Sequence, residues 1–144
     1  MRGALARMGS GNVRRWTMLL ALAGLTDRPQ HLLATGMLRA RQCELLATPP
    51  ADPAAAFTAG LFSILDALVG APMPAVLEGL PFDRRVSGAL LHQAGPEGGL
   101  LAAVLAYERG DFDAVAGYGL ELVDVAAAYH AALEWVEQAA PHLT

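Results

Sequence analysis

Apolar residues recur every three or four positions through almost the whole chain, and no stretch alternates in the Val-, Ile- and Thr-rich manner of a half-buried strand. That spacing gathers apolar side chains on one face only if the backbone is helical. Ala and Leu, both strong helix formers, fill most of the positions. The expected fold is therefore all-α, a compact multi-helix bundle. At 144 residues the chain has the length of one domain, and a domain of that size buries roughly 68–70% of its unfolded surface. Residues 1–144 are read as a single unit with no internal repeat or linker.

Glycines, prolines and capping residues divide the bundle. A short helix over 4–8 ends at Gly9, and Asn12 caps a second that runs to about residue 25. "TDRPQ" restarts the chain, with Pro29 in a first helical turn, where its missing N–H has no partner to lose. This third helix runs to about residue 47 and ends before the proline cluster "TPPADP". Asp52 and Pro53 form an N-cap and N1 pair that opens a fourth helix through about residue 69, terminated by Gly70. Shorter pieces are expected over 73–80 and 83–93, divided by Pro81, then a helix over 97–109 closed by Gly110. Asp111 caps a further short helix, and the last helix ends near residue 140, before Pro141. On it Val125, Tyr129, Ala132, Leu133 and Val136 form the expected buried stripe.

Composition narrows the class. A hydrophobic content of 54%, 17% charged residues and a mean hydropathy of +0.36 are too apolar for a disordered chain. No run approaches about 18 apolar residues without a charge or proline, so no membrane span is expected. "VRRWTMLLALAGLT" has the paired arginines and apolar run of an export signal. No small-x-small site follows it at a change of composition, however, and the helical pattern resumes after Pro29. The single cysteine, Cys43, rules out an internal disulfide framework and fits a cytoplasmic location. It lies in a helical pattern and reads as a buried small hydrophobe rather than a nucleophile.

Charge is distributed unevenly. All ten basic residues are arginine; seven of them, against one aspartate, lie in residues 1–41, whereas residues 42–144 hold three against thirteen carboxylates. Such polarity either steers a protein contact or reflects solvated helix faces that segregate charge. Arg14, Arg15 and Trp16, with Arg39 and Arg41 on the next helix, also have the outline of a nucleic-acid footprint. A pI near 5.4 and a lone aromatic in the basic region argue against nucleic acid. A protein partner with an acidic surface fits better. Arg14, Arg15, Arg39 and Arg41 are the expected interaction face, with Glu44 as an ion-pair member.

Catalytic machinery is scarce. The histidines, His31, His92, His130 and His142, are scattered, and none stands in a His-Asp, His-Glu-x-x-His or His-x-x-Glu-His motif. His130 and Glu134 are one helical turn apart but lack a third ligand. "GPEGG" has neither the Lys and Ser/Thr of a phosphate loop nor a preceding strand. Ser10, Ser63 and Ser87 lie in no nucleophile-elbow pattern. No catalytic, cofactor-binding or metal-binding residue is assigned, and the expectation is that the protein is not an enzyme.

Read together, "ALARMGSGNVRRWTMLLALA", "MLRARQCELLA", "AFTAGLFSILDALVGAPMPAVLEGLP" and "LLAAVLAYERGDFDAV" resemble the C-terminal part of the HDOD domain, over about residues 4 to 138. The most specific pieces are "LRARQCELLA" and "AYERGDF". The resemblance is to bacterial signalling proteins in which this domain follows an EAL-type cyclic-dinucleotide phosphodiesterase domain. It implies an HD-domain-like fold, shared with HD and HD-GYP phosphohydrolases whose metal centres use an adjacent His-Asp pair. Ser63 and Ile64 stand where that pair would be, and His31 falls near an upstream metal histidine. Serine is a poor divalent ligand and isoleucine is none.

The resemblance thus implies a noncatalytic signal-transduction or scaffold module working by protein contact. The partner would be an EAL-type domain or a response regulator, and a homodimer is expected. The alternative is an altered metal-dependent HD-type phosphohydrolase acting on a nucleotide or cyclic dinucleotide.

Overall fold

An 18-residue helix, α1 (Pro29–Leu46), is the spine on which most of the other elements pack. The chain is seen in a computed structural model that describes residues 29–78 and 80–141; the helices expected over 4–8 and 12–25 lie outside the described residues. After α1 come α2 (Pro53–Phe62), α3 (Leu65–Val69), α4 (Met73–Leu77), α5 (Arg84–His92), α6 (Gly95–Glu108), α7 (Phe112–Gly117) and α8 (Leu122–Ala139). No strand occurs among the described residues, and the fold is an all-α multi-helix bundle.

The local punctuation acts as its chemistry requires. Asp52 accepts from the Ala55 N–H at 3.1 Å, Asp83 from Val86 at 2.9 Å and Asp111 from Ala114 at 3.3 Å, each satisfying an otherwise orphaned donor at a helix start. Gly70 ends α3 at φ 76°, in the left-handed region that a side chain disfavours.

The α1–α2 seam is built from small residues. A Cβ on Gly60 would stand 2.7 Å from the Arg39 carbonyl oxygen and 2.8 Å from the Ala40 backbone. One on Gly36 would stand 2.9 Å from the Leu61 carbonyl oxygen. Gly60 lies level with residues 39 and 40 and Leu61 with residue 36, so the two helices run antiparallel, with backbones in near contact. Around this seam Leu33, Met37, Phe62, Ile64 and Leu68 form the largest core cluster, closed by Val136 and Ala140 at the end of α8. Each of the larger side chains buried there contributes about 1.5–3 kcal/mol.

The structure departs from the sequence-based expectation at four points. The fourth helix, expected as one element through residue 69, breaks at Ser63–Ile64 into α2 and α3. There the Ser63 N–H reaches back three residues, to the Gly60 carbonyl at 3.4 Å, and the Ser63 hydroxyl donates to the same oxygen at 2.7 Å. That local alternative tightens the last turn and stops the α-helical ladder. Helix α4 ends at Leu77 rather than residue 80, since Glu78 turns to ψ 127° ahead of Pro81. Helix α6 begins at Gly95 instead of residue 97, with a proline at N1/N2. The buried stripe of α8 is Val125, Ala128, Ala132 and Val136, while Tyr129 and Leu133 are half-buried.

Candidate functional site

The tight seam delivers α2 to α1 so that Ser63, three residues beyond Gly60, meets the side chain of Arg39. The Arg39 guanidinium donates through Nη1 to the Ser63 hydroxyl at 3.1 Å. Its other edge forms a fork on Glu108, Nε to Oε2 at 2.8 Å and Nη2 to Oε1 at 2.9 Å. Glu108 is the last residue of α6, an end where the helix dipole disfavours a carboxylate and a facing cation offsets it. Two parallel charge-assisted bonds fix orientation as well as distance. With side chains only 18% and 26% exposed, the pair ties α1, α2 and α6 at one point.

One turn along α1, Cys43 is buried beside this knot. Burial pushes its thiol up to about 12; Glu108 adds to the rise, and the Arg39 charge opposes it. A thiol held protonated in this way is no nucleophile at neutral pH.

Ser63 and Ile64, the positions where the resemblance sets a His-Asp pair, are thus a hydroxyl held by a guanidinium and a core side chain 2% exposed. His31 is exposed at the start of α1, in a pocket lined by Leu32, Thr35 and Ala67, one turn beyond the level of Ser63. His130 and Glu134 are both exposed on α8. Among the described residues no three His, Cys, Asp or Glu side chains converge as a metal set would.

The arginines grouped by sequence take separate places. Arg41, two residues past Arg39, pairs with Glu44 and lies 5.7 Å from the centre of the Trp135 ring, a cation–π contact. Arg39 and Arg41 therefore serve different sides of α1. Arg14 and Arg15 lie outside the described residues.

Neither Glu108 nor Glu97 stands in a motif that marks it for a role. Glu97 is 1% exposed; its Oε2 accepts from the Asp52 N–H at 2.8 Å and from Arg85 at 3.3 Å, linking the starts of α2 and α6. The motif "AYERGDF" contains Glu108, but nothing in the motif marks that carboxylate as the partner of an arginine 69 residues away.

Comparison with known proteins adds a relation that the geometry does not. The chain is 33% identical over 125 residues to a Vibrio cholerae protein named cyclic di-GMP phosphodiesterase CdgJ, covering 84% of this chain and 29% of that protein. It is 27% identical over 140 residues to an uncharacterized Bacillus subtilis protein, YuxH, covering 92% of this chain and 34% of the relative. The chain therefore spans about a third of the length of the curated relatives it matches. No family model matches it, and no solved structure does.

The expectation that the protein is not an enzyme is corrected by this finding, because the Vibrio relative carries an enzyme's name. Reasoning from ligands and nucleophiles could address only these 144 residues, whereas the name belongs to a polypeptide of which they span 29%. Among the described residues no helix is long and apolar enough to cross a membrane.

Proposed function

We propose that this chain serves cyclic-dinucleotide signalling as a regulatory helical module of the HDOD type, acting by protein contact on a phosphodiesterase that turns over cyclic di-GMP. The observation that carries the reading is the 33% identity with the Vibrio phosphodiesterase over most of the chain. The Arg39 knot supports it. Where the resemblance sets a metal-binding pair, a guanidinium already satisfied by Glu108 and Ser63 fixes three helices against one another. A rigid bundle of this kind suits the presentation of a surface to an EAL-type domain or a response regulator. Self-association as a homodimer belongs to the same reading, and light scattering at high concentration tests it.

The main test measures cyclic di-GMP hydrolysis by material that the purified chain captures from its native host, with the Glu108→Ala variant alongside. Captured material is expected to hydrolyse the dinucleotide. Capture by the variant is expected to fall, since leaving Arg39 without its carboxylate loosens the knot by about 2 kcal/mol. Captured material without turnover would remove the link to this signalling system. A second reading, a metal-dependent phosphohydrolase within these helices, draws on the same relative's name. Stoichiometric divalent metal and turnover by the purified chain alone would establish it in place of the first.

A further inference from the structure

At the corner between α7 and α8 the core runs out into solvent. A small cluster is buried there, Ala106, Val115 and Val125, with Tyr107 and Leu120 packed alongside. Phe112 lies one helical turn before Val115 on α7, and Leu122 one turn before Val125 on α8, so each continues the side of its helix that the buried valine occupies. Both are nevertheless exposed, at 49% and 40%, as are Tyr118 at 47% and Val123 at 72%. Of the seven large apolar side chains well exposed among the described residues, four lie in this corner, so the exposure is concentrated rather than scattered. Half-buried rings carry the patch onward, since Tyr107 of α6 stands 5.9 Å from Phe112 and 5.5 Å from Tyr129 of α8, centre to centre.

Carboxylates are set among these side chains. Asp111, Asp113, Glu121 and Asp124 are all exposed. Asp111 is occupied as the cap of α7. The other three form no ion pair among the described residues, whereas Arg39, Arg41 and Arg85 are each matched to a carboxylate elsewhere. Arg109 is the nearest cation in sequence, and the carboxylates outnumber it. This mixture restricts what can cover the corner. A purely apolar occupant would strip water from the carboxylates and return no partner, which is costly. A second copy of this chain, meeting the corner through a two-fold contact, would set the same carboxylates against one another. A cationic occupant supplies the missing partners, and its guanidinium or ammonium groups are drawn to ring faces such as those of Phe112 and Tyr118 as well. Aromatic anchors beside charges are also where contacts between proteins concentrate their binding energy.

We propose that the α7–α8 corner is the docking surface for a cationic amphipathic segment of a partner protein, whose Arg or Lys side chains meet Asp113, Glu121 and Asp124 while its apolar side chains cover Phe112, Leu122 and Val123. The proposal rests on the reading of a module that acts by protein contact, and it assigns that contact a surface and a sign of charge. Arg39 and Arg41, which the sequence puts on an interaction face, are engaged inside the bundle. The corner offers the opposite charge, together with the apolar area that a docking face needs.

The probe is a labelled synthetic peptide with Lys and Leu at helical spacing, titrated against the full chain by fluorescence anisotropy. Saturable one-to-one uptake is expected. Asp113→Asn with Glu121→Gln, and separately Phe112→Ala with Val123→Ala, should each weaken it about tenfold. Glu134→Gln with Glu137→Gln makes the same change of net charge about 15 Å or more further along α8 and should leave uptake within about twofold. Circular dichroism shows whether each variant keeps its helices, and Val123→Ala alone replaces the apolar pair if the pair disturbs them. No uptake, uptake indifferent to the corner variants, or equal weakening by the two charge variants would overturn the proposal. So would a mass that rises with protein concentration and falls in the corner variants, which would assign the corner to a second copy. The peptide carries no enzyme, so the capture assay for cyclic di-GMP hydrolysis is read separately. Turnover captured undiminished by the corner variants would overturn the corner alone, whereas captured material without turnover would remove the signalling link and leave peptide uptake at the corner standing.

Discussion

The α1–α2 seam and the α7–α8 corner draw on similar small and aliphatic side chains and put them to opposite use. At the seam Ala40, Ala56 and Ala59 are fully buried, and two glycines let carbonyl oxygens of the facing helix come within 3 Å of where a Cβ would stand. At the corner Leu122 and Val123 are left in solvent, three and two residues from a fully buried Val125. Apolar character alone does not decide burial in this chain. The distance at which backbones meet does, and the smallest residues set that distance. The seam also commits its charges, Arg39 to Glu108 and Ser63, while the corner's carboxylates form no ion pair among the described residues.

The comparison breaks most severely at Gly60. Elsewhere in a helix, replacing glycine by a residue with a side chain gains up to about 1 kcal/mol of propensity. Here the new carbon would lie 2.7 Å from the Arg39 carbonyl oxygen and 2.8 Å from the Ala40 backbone, and backbone cannot move aside as a side-chain tip can. Gly60→Val is expected to cost about 3 kcal/mol as the helices are forced apart. Urea denaturation should show this as a lower midpoint with an unchanged slope. An unaltered midpoint would mean that the seam is looser than its geometry.

How much of this was legible in the sequence follows from the range of each interaction. The Asp52 and Asp111 caps and the Gly70 stop are decided within three or four residues, and local chemistry located them. The break at Ser63 was not legible, because an arginine 24 residues upstream helps to hold it. Glu108 escaped for the same reason, its partner lying 69 residues away. On α8, helical spacing puts Tyr129 and Leu133 on the expected buried stripe, yet both are half-buried. The small Ala128 is buried in their stead, at 7% exposed. The likeness to a protein named as a phosphodiesterase could not be read from ligand motifs and rests on similarity along most of the chain.

A smaller effect sharpens the comparison by pH. The Cys43 thiol, in the second layer of the seam, is raised from 9.0 to about 12, first by burial and then by Glu108, with Arg39 opposing. Below the unfolded value the thiol is protonated in both states, and the stability it contributes is fully present. Above it the unfolded chain releases the proton while the folded chain keeps it, so rising pH favours unfolding until the folded value is passed. Between pH 9 and 10 the loss is expected to be about 1 kcal/mol. Measuring stability against pH beside Cys43→Ala isolates it from other titrations; parallel curves for the two chains would show that the thiol is not held protonated.

The smallest effect belongs to the corner. Val123 is 72% exposed on the first turn of α8, so trimming it removes little buried surface. Alanine is also the better helix former, because valine loses rotamer freedom against the preceding turn. The two terms nearly cancel, and Val123→Ala is expected to leave stability within about 0.5 kcal/mol of the parent. Thermal unfolding followed by circular dichroism measures the difference. A loss of more than about 1 kcal/mol, the range of substitutions at buried positions, would show that Val123 is covered in solution, and the contrast between seam and corner would then lie in what covers each of them.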